Sequence, residues 1–350
     1  MPEHTPGAAR RRISRRQLLL ASAGLATLPL SHRGRAQTLQ ALNPRLSGDL
    51  YPIHDPCIIK AADTYYLFCT TPRADAPAQI PWYRSNDLLH WERGGHALEG
   101  LAAWAQREMP KAQTCWAPDI SVFDGQYYLY YACSTFGSNH SVIGLATNGS
   151  LDPHAAGFGW QDRGLVLESQ SHDDFNAIDP NRVVDLEGRH WLAFGSFWTG
   201  LKIVQIDPHS GMPLPDAQRH DLARRPQPPD AIEAVFIVHR AGNYYLFASF
   251  DFCCRGADST YYTVVGRSRE ILGPYVDRGG KPMMEGGGTL VLAAGAGEDR
   301  WRGPGHVAIL RDSDKDFIVY HAYDARHDGR PTLRIAPLGW TQDNWPVAFV

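Results

Sequence analysis

The sequence predicts an all-β fold: one domain built as a five-bladed β-propeller. Three observations point there. A phrase made of a polar residue, a short β-branched strand, a tight turn and an aromatic-rich strand occurs five times. The chain has 33 Gly, 25 Pro, 15 Tyr and 10 Trp, and only 20% of it is charged, which suits many short strands joined by turns. Beyond the first 36 residues no long stretch has the period of a helix.

The N-terminal segment stands apart from these repeats. Arg10-Arg11-Arg12-Ile13-Ser14-Arg15-Arg16-Gln17-Leu18 is a basic head, and an apolar run follows over residues 18–30. That run contains Gly24 and Pro29 and is too short to span a bilayer. It reads as a cleavable export signal over residues 1–36, resembling the twin-arginine type. The expected destination is the periplasm or the medium, with no membrane association once the signal is gone. The remainder, residues 37–350, is distinctly acidic. This speaks against nucleic acid or another polyanion as a partner. The expected mature protein is a monomer.

The repeats follow in order. The first, near residues 49–91, carries His54-Asp55-Pro56-Cys57-Ile58-Ile59 and then Tyr65-Tyr66-Leu67-Phe68. The second, near 112–160, has Ala117-Pro118-Asp119-Ile120 and Tyr127-Tyr128-Leu129-Tyr130. The third, near 172–206, has Ala177-Ile178-Asp179-Pro180-Asn181 and His190-Trp191-Leu192-Ala193-Phe194. The fourth, near 230–275, has Ile232-Glu233-Ala234-Val235-Phe236 and Tyr244-Tyr245-Leu246-Phe247. The fifth, near 303–350, has Gly305-His306-Val307-Ala308-Ile309 and Phe317-Ile318-Val319-Tyr320. The glycines at 286–288 are expected to link the fourth and fifth. The polar anchors Asp55, Asp119, Asp179, Glu233 and His306 lie 64, 60, 54 and 73 residues apart. Recurrence at such a spacing marks a propeller or an array.

In a propeller the first strand of each blade lines the central axis, so anchors in one register would meet at one end of it. Like charges gathered this way must share protons or hold a cation. A single Asp before Pro more often caps a turn. Repetition at Asp55, Asp179 and Glu233 favours chemistry. Two carboxyl groups, one protonated and one ionised, are what a glycosidic bond needs for its cleavage, and a third can raise the acid's pKa. Trp116, Phe136 and Trp198 flank the anchors and could stack on sugar faces, although blade packing claims most aromatic residues.

The six cysteines include no Cys-x-x-Cys pair, so a sulfur-bound structural metal is not expected. Cys57, Cys69, Cys115 and Cys133 read as buried free thiols. Adjacent Cys253 and Cys254 could be free or bridged.

Together, His54-Asp55-Pro56, Trp116-Ala117-Pro118-Asp119, Asn176-Ala177-Ile178-Asp179-Pro180-Asn181 and Ile232-Glu233-Ala234 resemble glycoside hydrolase family 43. Phe250-Asp251-Phe252-Cys253-Cys254-Arg255-Gly256 and Gly303-Pro304-Gly305-His306 narrow the resemblance to the endo-acting 1,5-α-L-arabinanases of that family. The resemblance implies a five-bladed propeller that hydrolyses arabinan with inversion. It implies Asp55 as general base, Glu233 as general acid and Asp179 as modulator of the acid's pKa. It makes His306 the protein ligand of one metal ion, calcium, near the reacting centre. It assigns Trp116 and Phe136 to the substrate cleft and sets His54 and Asn176 against the sugar. Exo-action, as an α-L-arabinofuranosidase or β-xylosidase, is the alternative on the same framework. A carbohydrate-binding propeller without turnover would be expected to lack one of the acids.

Overall fold

The computed structural model describes residues 41–295 and 299–350. The expected export signal lies outside the described residues. Five antiparallel sheets of four consecutive strands each form the blades. Blade 1 comprises Cys57–Ala61, Thr64–Phe68, Gln79–Ser85 and His90–Leu98, with the short strand Ser47–Gly48 added in parallel to its outer edge. Blade 2 comprises Cys115–Phe123, Gln126–Ser134, Ser141–Asn148 and Gln161–Ser169. Blade 3 comprises Asn181–Val184, His190–Phe194, Leu201–Ile206 and His220–Ala223. Blade 4 comprises Ile232–Arg240, Asn243–Phe250, Tyr262–Ser268 and Thr289–Leu292. Blade 5 comprises Trp301–Asp312, Lys315–Asp324, Arg330–Trp340 and Pro346–Ala348. The five first strands touch in ring order, the last against the first.

The hydrophobic core is not central. It is divided into five clusters, each between two neighbouring blades. The second strand of blade 1 shows why. Tyr65 and Leu67 enter the cluster shared with blade 5, whereas Tyr66 and Phe68 enter the one shared with blade 2. Alternate side chains of a strand point to opposite faces, and here both faces are buried. The strand therefore reads as a continuous apolar run and not as an alternation.

The two strands named for each repeat are the first and second strands of a blade, as the sequence puts them. The outermost strands of blades 2, 3 and 4 lie beyond the expected limits of those units. The glycines at 286–288 do not link blades 4 and 5, because they precede the last strand of blade 4, Thr289–Leu292. Of these outer strands, those of blades 3 and 4 are short and all three are partly exposed, so they carry little hydrophobic pattern. All six cysteines are free, and Cys57, Cys69, Cys115 and Cys133 are buried as expected.

Candidate active site

A backbone kink recurs at one mouth of the ring. Asp55, Ala117, Asp179, Ala234 and His306 all have φ between +41° and +59°. Each stands two residues before an equivalent paired position: Cys57 opposite Phe68, Asp119 opposite Tyr130, Asn181 opposite Ala193, Phe236 opposite Phe247, and Ala308 opposite Val319. Left-handed backbone costs a non-glycine residue roughly 1–3 kcal/mol. Hydrogen bonds from the preceding blade help to hold four of the five. The backbone N–H of Asp55 donates to His321 Nδ1 at 3.1 Å, and that of Ala117 to Thr70 Oγ1 at 2.7 Å. The N–H of Ala234 donates to Asp179 Oδ2 at 2.9 Å, and that of His306 to Ser249 Oγ at 2.9 Å.

This register corrects the expectation that five polar anchors are equivalent. Asp55, Asp179 and His306 share the kink position. Glu233 lies one residue before it and Asp119 two residues after it. The shift turns Asp119 away from the mouth. Its Oδ2 accepts the Arg182 backbone N–H at 2.8 Å and its Oδ1 accepts Asn181 Nδ2 at 3.1 Å. Asp119 thus joins blade 2 to blade 3, the ordinary role of a carboxylate that binds backbone amides.

The other anchors converge. Asp55, Asp179, Glu233 and His306 line one hollow of about 1000 Å³, together with residues from all five blades. Asp55 Oδ1 meets His54 Nδ1 at 2.7 Å and His306 Nδ1 at 3.0 Å. Asp55 Oδ2 accepts the Thr70 hydroxyl at 2.6 Å. Glu233 Oε2 accepts the Ser196 hydroxyl at 2.7 Å.

Electrostatics separates the three acids. Burial opposes an ionised Asp55, but His54 and His306 outweigh it and hold the carboxyl well below its usual range. Burial raises Asp179 to about 8; Glu233 and Asp55 add repulsion while His306 opposes it. Burial also raises Glu233, against the hydrogen bond from Ser196. Burial would lower His306, yet Asp55, Asp179 and Glu233 bring it up to about 9. His321 is held well below the ordinary value, first by burial and then by His54. A neutral ring agrees with its Nδ1 accepting the Asp55 N–H.

Trp116, Phe136 and Asn176 also line the hollow. Phe136 is 77% exposed, an apolar ring offered to the opening. Trp116 Nε1 donates to Thr114 Oγ1 at 3.0 Å. Asn176 is buried and its Oδ1 accepts the Ser141 hydroxyl at 2.6 Å. Both ring nitrogens of His54 are engaged by protein, Nδ1 with Asp55 and Nε2 with the Tyr323 hydroxyl at 2.6 Å. Sequence reasoning missed Thr70, Ser196, Ser249 and His321, which hold the acids and the kinks. A weak signal exists: Thr70, Ser249 and His321 each stand two residues beyond the equivalent paired position of a second strand.

The expected metal site can be tested against its donors. His306 presents Nδ1 to Asp55, and among the described residues nothing partners its Nε2. A carboxylate behind one nitrogen and a free second nitrogen is the arrangement of metal-ligating histidines. One imidazole is a sparse set for a hard cation, which would take its other ligands largely from water. On those terms the residues fit such an ion.

Comparison with known proteins identifies the family. The profile of "Glycosyl hydrolases family 43" matches residues 42–346. An extracellular endo-α-(1→5)-L-arabinanase of Bacillus subtilis is 40% identical over 295 residues, covering 84% of this chain and 87% of its own. An extracellular exo-α-(1→5)-L-arabinofuranosidase of Cellvibrio japonicus is 39% identical over 305 residues, covering 84% of this chain and 85% of its own. The solved structure of a family 43 endo-arabinanase from Bacillus licheniformis superposes with a TM-score of 0.79 at 42% identity, covering 86% of this chain and 99% of that one. With its propeller, its matched length and these relatives, the chain belongs to glycosyl hydrolases family 43.

Proposed function

We propose that the protein is an exported endo-1,5-α-L-arabinanase that cleaves internal bonds of arabinan with inversion. The observation that carries this reading is the opposite electrostatic tuning of Asp55 and Glu233 in one sugar-sized hollow. Asp55 stays ionised and is the base. A carboxylate has about four lone-pair sites. His54 and His306 occupy those of Oδ1 and Thr70 occupies one on Oδ2, so the remaining site on Oδ2 takes the proton of the attacking water. Glu233 keeps its proton and gives it to the leaving oxygen.

Asp179 modulates the acid: whichever of the pair is ionised raises the pKa of the other by repulsion. Burial pushes both groups up, and the hydrogen bonds of each oppose that rise. Asp179 Oδ2 accepts from the N–H of Ala234, which can only donate. Glu233 faces the Ser196 hydroxyl, which can also accept. A protonated Glu233 can therefore keep this bond by donating to the hydroxyl. Trp116 and Phe136 supply apolar faces for the sugars, Asn176 contacts them from the wall, and His54 acts chiefly by holding Asp55.

A divalent cation, calcium, is assigned to His306 Nε2. When bound it supplies positive charge and ordered water beside the acids. Verified removal of divalent cations is expected to lower activity, and full activity afterwards would sink that assignment. Export follows from the arginine-rich leader and from the extracellular relatives.

Exo-action is the second reading, favoured by the Cellvibrio relative. Hydrolysis of debranched linear arabinan with products resolved by size decides between them. Early release of mixed oligosaccharides is expected. Monomer, or one short oligomer alone from the start, would overturn the endo reading. No release from any arabinan or xylan would favour a binding propeller.

A further inference from the structure

The loop after the second strand of blade 4 brings Cys253 and Cys254 to the wall of the hollow, beside His54. Neither cysteine is bridged. One ligand atom from each of the three residues lies within 4.8 Å of the other two. Cys254 Sγ stands 3.8 Å from His54 Nε2. In a tetrahedral zinc site, with bonds of about 2.3 Å to sulfur and about 2.1 Å to nitrogen, neighbouring ligand atoms stand about 3.6–3.8 Å apart. Asp55 holds the other nitrogen of His54 at 2.7 Å, the carboxylate support that orients a ligating imidazole. The hydrolytic reading gives the two thiols no task.

We propose that Cys253, Cys254 and His54 form a binding site for a thiophilic divalent cation such as Zn²⁺ or Cd²⁺, separate in ligand type from the hard-cation position at His306. Two sulfurs and an imidazole select borderline and soft ions over calcium. The Cys254 thiol is pulled down to about 5, first by its hydrogen bond with Cys253 and then by His54, against burial. Binding releases to solvent the Cys253 proton and any proton on Cys254 and His54 Nε2. The Tyr323 hydroxyl, 2.6 Å from Nε2, gives up that nitrogen and keeps the Cys254 N–H, which donates to it at 2.7 Å. A cation there sits behind Asp55 and lowers its basicity, so the metal inhibits hydrolysis.

The test uses the whole protein kept reduced with a phosphine and supplied with excess Ca²⁺. Cd²⁺ titration is followed by the ultraviolet thiolate-to-cadmium band. One Cd²⁺ per chain with a thiolate band is expected, and the band is lost in the Cys253→Ser/Cys254→Ser double variant. Cys254 is exposed, so Cys254→Ser alone serves if the double variant does not fold; it should weaken binding about tenfold or more. One equivalent of Zn²⁺ should inhibit arabinan hydrolysis by the parent and not by the variant. Absence of a thiolate band, or a band unchanged by the substitutions, overturns the proposal. The spectroscopic measurement needs no hydrolysis: a chain inert on every arabinan would defeat the hydrolase reading and leave the metal site standing.

Discussion

Asp55 and Glu233 share one hollow, and their surroundings shift them in opposite directions. Two imidazoles face Asp55, whereas burial dominates at Glu233. Glu233→Ala is expected to lower kcat/KM on arabinan by about 10²–10⁴-fold. Aryl arabinofuranosides with good leaving groups should be partly spared, since they need no proton donor. Equal and small losses on both substrates would remove Glu233 from the acid role. The pH profile offers a finer check. As the proposed acid, Glu233 must be protonated, so activity is expected to fall as pH rises through that group's pKa. The Ser196 hydroxyl stabilises the carboxylate and lowers its pKa. Ser196→Ala removes that stabilisation, raises the pKa and moves the basic limb to higher pH. A limb shifted to lower pH would contradict the sign.

The first strand of each blade, with its kink, is the working element. It turns one residue per blade toward the mouth, and a polar side chain of the preceding blade accepts the kinked N–H in four blades of the five. Position along this element separates chemistry from architecture. Asp119, two residues past the kink, satisfies buried donors on Asn181 and Arg182. Asp119→Ala leaves those donors unpaired and should cost about 1–3 kcal/mol of stability, read by denaturant unfolding. Its pH–activity profile should match that of the parent. A changed profile with unchanged stability would return Asp119 to the reacting centre. The sequence places Asp119 among equivalent anchors because the repeat is visible only to within one or two residues. The bulges at Trp116/Asp119 and Glu233/Phe236 shift the register, and they leave no compositional trace.

The ring is stabilised by five interfaces and closed without a covalent tie. The segment at residues 42–53 passes between blades 1 and 5. Leu42, Leu46 and Leu50 pack on their shared core, and Leu50 O accepts the Leu333 N–H at 2.8 Å. Asn43 clasps blade 5 twice: its Oδ1 accepts the Ile335 N–H at 2.9 Å, and its Nδ2 donates to the Tyr320 hydroxyl at 3.1 Å. Asn43→Ala should lower stability by about 1–3 kcal/mol while kcat/KM at moderate temperature is retained. An unchanged unfolding midpoint would show that closure does not depend on this clasp.

The sequence by itself determined the all-β class, the five-fold repeat and the identities of Asp55, Asp179, Glu233 and His306 as residues worth gathering. Those properties are local: a strand buried on both faces needs apolar runs, and a turn needs Gly, Asp or Pro. Only the tertiary structure decided which anchors meet. It set Asp119 apart, brought Thr70, Ser196 and His321 to the acids, and put Cys253 and Cys254 against His54. Ring closure sets those distances between residues from different blades, and composition along one segment carries no record of what the neighbouring blade places opposite it.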